Sequence, residues 1–150
     1  MIDFKVKFEA AKGMFFDREK VIRAADKATL RVFSKFGAFV RQRAKSSIRS
    51  RKKPSAPGQP PSSHTGMLKR FIFFGLGTQK KSVVIGPTVA GGKTGDALPA
   101  LEYGGQAAIV AKTRGRKRRR VVKIRARPFM QPAFDKEESK LPSLWADSIK

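Results

Sequence analysis

The chain has 150 residues, with 34 Lys and Arg against 11 Asp and Glu for a formal charge of +23, and it has no cysteine. This length suits one domain around one core, and 40% hydrophobic content with 12 phenylalanines excludes wholesale disorder. The missing cysteines exclude disulfides, thiolate nucleophiles and thiolate metal sites. A compact body this basic repels itself unless an anion or a neighbouring subunit compensates, so a partner is implied.

In chain order, Ile2, Phe4, Val6 and Phe8 alternate with Asp3, Lys5, Lys7 and Glu9, which predicts a strand with one wet face. Those charges exclude an apolar leader peptide, and no apolar run approaches a membrane span. A soluble protein without membrane contact is therefore expected, made in a reducing compartment or on a particle assembled there. Val21, Ala25, Ala28, Val32, Phe36, Val40 and Ala44 then recur every three or four residues and predict a long helix from about Asp17 to Ile48. Asp17 is its expected N-cap, with Phe16 stapling onto Val21.

Arg49 to Gly66 holds four prolines and two glycines but no periodic apolar residue, so a loop or arm at about 50–66 is expected, poorly ordered unless a partner holds it. Phe71–Leu76 and Ser82–Ile85 read as a hairpin stopped by Pro87. Asp96–Tyr103 suits a helical turn closed by Gly104 and Gly105. Gln106–Lys112 and Val121–Ala126 read as a second strand pair around a basic tip at about 112–120. Pro128 is expected to open a helix to about Lys140, and Pro142 a last turn through Trp145. The whole predicts one α+β domain over 1–150, its long N-terminal helix and C-terminal helix packed on an antiparallel sheet of about four to five strands.

Ser82–Asp96, SVVIGPTVAGGKTGD, imitates a phosphate-binding loop. That motif needs four residues between its first glycine and Gly-Lys-Thr, whereas Gly86 is five from Gly92 and the required position is Pro87. Gly95 and Pro99 also deny it a long following helix. His64, the sole histidine, sits in the arm without a partner for base chemistry. The acids are scattered: Asp17, Glu19 and Asp26 on the first helix, Glu137 and Glu138 on the last, where a position near helix N-termini would offset the dipole. Neither enzymatic activity, a cofactor nor a metal site is expected.

Two basic clusters remain. Lys112–Arg127 contains ten Lys or Arg and no acid, and Arg41–Lys53 contains seven more. Arg114, Arg116, Lys117, Arg118, Arg119, Arg120, Arg41, Arg43, Arg49, Arg51, Lys52 and Lys53 are the candidates for contact with nucleic-acid phosphates. Base reading is not expected, since no recognition motif accompanies them. Docking to an acidic neighbour explains such clusters equally well.

The order PGQPPSSHTGML at Pro57–Leu68, VVIGP at Val83–Pro87, LEYGG at Leu101–Gly105 and ARPFMQPAF at Ala126–Phe134 resembles the neck or tail-completion family of tailed bacteriophages. The resemblance runs from about Asp17 to Phe134. It implies a non-enzymatic ring of six or twelve copies in the virion, between portal and tail, assembled in the host cytoplasm beside other connector and tail proteins and passed by genomic DNA. Pro57, Pro60, Pro61, His64 and Leu68 would then dock neighbouring subunits. Family members commonly carry Thr where Gly105 stands, and many lack so basic a hairpin as Thr113–Arg120. A free, sequence-independent nucleic-acid-binding protein is the alternative reading.

Overall fold

The computed structural model describes residues 17–88, 97–113, 116–146 and 148, the side chains of 109 and 111–118 excepted. The strand expected over Ile2–Phe8, the staple residue Phe16, the cap Asp96, the Gly-Lys-Thr stretch and Arg114 lie outside the described residues.

Helix α1, Arg18–Ser47, is the predicted long helix, about 45 Å at 1.5 Å per residue. Asp17 caps it by accepting a hydrogen bond from the Lys20 amide. The predicted stripe divides in two. Ala28, Val32, Phe36, Val40 and Ala44 are buried, whereas Val21 is half exposed and Ala25 exposed, because the first turns run past the rest of the described chain. Gly37 also joins the buried face. A Cβ there would meet the Phe74 ring at 2.7 Å, so the missing side chain lets a sheet lie directly on the helix.

After one turn of helix α2, Met67–Arg70, strands β1, Ile72–Gly77, and β2, Ser82–Pro87, form the predicted hairpin. Helix α3, Ala97–Tyr103, precedes strands β3, Gly105–Thr113, and β4, Arg116–Ile124. Helices α4, Gln131–Glu138, and α5, Leu141–Ala146, end the described chain. Phe36, Val40, Ala44, Ile48, Ile72, Phe129 and Ala133 form the core between α1, β1 and α4.

The fold is thus mixed helix and sheet, but the expected single sheet of four to five strands is corrected: the described strands form two separate antiparallel pairs. Pro87, which has no N–H to continue a ladder, closes the first pair. Gly104 and Gly105, at φ of 81° and 132°, turn the chain into the second pair on a different course. Two further boundaries move. The basic run at about 112–120 is not a loop tip, since Arg116–Arg120 already belong to β4. The helix expected from Pro128 begins at Gln131, with Pro132 in its first turn.

Candidate nucleic-acid interface and the motif junction

Helix α4 starts at Met130 without a side-chain cap of its own. The missing acceptor arrives from 27 residues earlier. Glu102, buried in α3, accepts hydrogen bonds from the backbone N–H groups of Phe129 (3.0 Å), Met130 (3.2 Å) and Gln131 (2.9 Å). A carboxylate at this end also meets the positive pole of the helix. The Arg127 amide donates to the Leu101 carbonyl at 2.7 Å, and Arg127 Nε to the Ser55 carbonyl at 3.0 Å. The Gly58 amide donates to the Ala126 carbonyl at 2.9 Å, and Ser63 to Arg49 at 3.0 Å. The proline-rich arm, LEYGG and ARPF therefore meet at one junction.

This junction corrects the expected poor order of the arm. Backbone bonds within the chain hold it, with Pro61 buried, Pro60 half-buried, and Pro57 and His64 exposed. Leu68 is half-buried against the core.

The basic residues divide by what they already touch. Arg41 donates its Nε–H to the Ile72 carbonyl at 2.8 Å, and its guanidinium lies over the Phe73 ring. Arg43 pairs with buried Glu137, which Lys140 also reaches at 2.9 Å. Both arginines are thus engaged within the fold, a correction to their reading as groups turned to nucleic acid. Burial alone would raise the Glu137 pKa, but hydrogen bonds from Lys140 and Arg43 and their charges outweigh it and hold the carboxyl below its usual range. Glu137 sits in the last turn of α4, so its role is this ion pair and not compensation of a helix N-terminus. Lys45 has its pKa lowered, chiefly by burial and then by Arg41 one turn away.

Arg49, Arg51, Lys52 and Lys53 are exposed just beyond α1. Ser46, Ser47, Arg49, Arg51, Gln59 and Pro60 line a recess of about 600 Å³ there. The adjacent helix end is the negative pole, so any attraction for an anion comes from the two arginines. On β4, Arg119 and Arg120 are exposed opposite Val110 and Ile109. Arg116, Lys117 and Arg118 occupy the next register positions, opposite Thr113, Lys112 and Ala111. Among the described residues, no cluster of His, Asp or Glu suited to a metal forms, and no helix is long and apolar enough to cross a membrane.

Glu102 and Glu137, the two buried acids, were not singled out as partners by the sequence reading. An uncapped helix start at Phe129–Gln131 was the available signal for the first. For the second there was none, because Arg43 is 94 residues away.

Comparison with protein-family models, with curated proteins and with solved structures returns no match.

Proposed function

We propose that the chain is a structural, non-enzymatic protein of the bacteriophage neck. In this reading it assembles into a ring between head and tail and presents the β3–β4 ribbon and the Arg49–Lys53 corner to the passing genome. One observation carries the proposal. The arm, LEYGG and ARPF, far apart in sequence, interlock through Glu102, Arg127 and Gly58, as expected if these motifs form one module. Charge supports the lumen contact: six of the nine residues of β4 are Lys or Arg. Contacts of this kind go to phosphates and carry no sequence information.

Electron microscopy of the concentrated full chain tests the ring; annular particles are expected, and a uniformly monomeric species would sink it. Duplex binding titrated against salt tests the lumen contact. Each phosphate neutralised contributes about −0.9 to the slope of log affinity against log salt. Replacing Arg119 and Arg120 by Ser should flatten that slope by about two such increments.

The exposed arginines of β4 also suit the second reading, a free nucleic-acid-binding protein. Steep salt-dependent binding by the monomer, with no annular particles, selects it.

A further inference from the structure

The outer edge of β2 has no partner strand among the described residues. The Phe71 carbonyl accepts from the Thr88 amide, so that pair faces inward across the hairpin, whereas the Ile72 carbonyl is taken by Arg41 and points outward. Backbone direction alternates along an antiparallel ladder. Val84 and Gly86 therefore bond β1, while Val83 and Ile85 direct their N–H and C=O groups away from it.

Two cavities of about 370 Å³ each flank this edge. They share Ile85, Tyr103 and Met130, and are walled further by Val83, Phe134 and Leu98. Neither is lined by Lys or Arg, in a chain of charge +23. Glu102, the one charged residue of the lining, is committed to the start of α4. Tyr103 remains 77% exposed and Val84 72% exposed. An unpaired edge beside an apolar groove is the arrangement that accepts an added strand, with backbone bonds along the edge and alternate side chains in the pockets.

We propose that the occupant is residues 2–8 of the same copy, added antiparallel to β2 as a third strand. The alternation of Ile2, Phe4, Val6 and Phe8 supplies apolar side chains at the two-residue period the groove requires. Asp3, Lys5 and Lys7 then fall on the opposite, wet face, and a slip of one residue would bring them into the groove. Reach agrees. Lys81, at the tip of the β1–β2 hairpin, pairs with Asp26 at 2.5 Å, so the start of α1 lies about 14 Å of helix beyond that tip. Residues 9–16 extend up to about 27 Å, enough to return from Asp17 to Val83. Entering from that side, the segment passes Val83 at its Phe8 end and Pro87 at its Ile2 end, which fixes the antiparallel direction. A short tether gives an effective concentration of about millimolar and favours the chain's own segment over another copy's.

Residue-resolved amide hydrogen exchange on the full chain tests this. In the wild type, Val83 and Ile85 should be protected as strongly as Val84 and Gly86. In the double variant Phe4→Asp, Val6→Asp, protection at Val83 and Ile85 should fall roughly a hundredfold, while Val84 and Gly86, bonded to β1, keep theirs and report an intact hairpin. Unprotected Val83 and Ile85 in the wild type would overturn the proposal, whatever the variant does. Protection that survives in the variant would assign the edge to another segment or protein. Protection that grows with protein concentration would assign it to a second copy. Either outcome also overturns the assignment.

Discussion

The molecule contains two β-hairpins of opposite character. β1 and β2 carry no charged residue, lie against α1 and contribute Ile72 to the core. β3 and β4 are half as long again, about 30 Å at 3.4 Å per residue. Beyond buried Ala107 the second hairpin is largely exposed: Val121 is 66% accessible, and Lys112 stands directly opposite Lys117. Like charges facing across strands are destabilising, and a lone two-stranded ribbon is marginal in water. The first hairpin thus contributes to the stability of the fold, while the second is a charged projection stabilised by whatever anion it meets.

Four substitutions sharpen this contrast. The largest effect is expected at the junction that anchors both hairpins: Glu102→Ala leaves three buried N–H groups without their acceptor and should cost about 3 kcal/mol in denaturant unfolding. Next, Gly37→Leu forces side-chain atoms into Phe74 and Val83 and should cost about 2 kcal/mol by the same measurement. A neutral result would mean that β1–β2 is not fixed on α1.

Glu137→Gln should cost about 1 kcal/mol at pH 7 through loss of its two charged hydrogen bonds. Because the folded pKa of Glu137 is depressed, its contribution is present above the unfolded carboxylate value of about 4.3 and is lost as pH falls through the lower folded value. Thermal melts of variant and parent should converge between neutral and strongly acidic pH; a constant gap would contradict the assignment. The smallest effect on folding is expected from Arg119→Ser with Arg120→Ser, within about 0.5 kcal/mol. A large loss there would make the basic hairpin a structural element after all.

The elements with strong local signals were legible before any coordinates. Asp17 and the stripe Ala28, Val32, Phe36, Val40 and Ala44 place α1, and Pro87 marks the end of β2. What escaped was non-local. Whether two hairpins share one sheet depends on the path between them, set by φ at Gly104 and Gly105, and hydrophobic alternation carries no record of it. The extent of β4 was hidden because five consecutive basic residues show no alternation of polarity, although arginine is tolerated at an exposed edge. Of the candidate site, the clusters were visible as composition. The engagement of Arg41 and Arg43 was not, since Ile72 and Glu137 are brought to them only by folding.

The second hairpin leaves the body at Gly104 and returns at Ala126, where an added Cβ on the glycine would lie 3.3 Å from the Ala126 nitrogen. Its two roots are neighbours, and Glu102 and Arg127, just outside them, clamp the base shut. A loop closed at its stem is decoupled from its own length. Ribbon residues could accordingly be deleted, doubled or replaced by a foreign peptide at the tip with little consequence for the core, making this position a natural graft point for labels that report on the lumen.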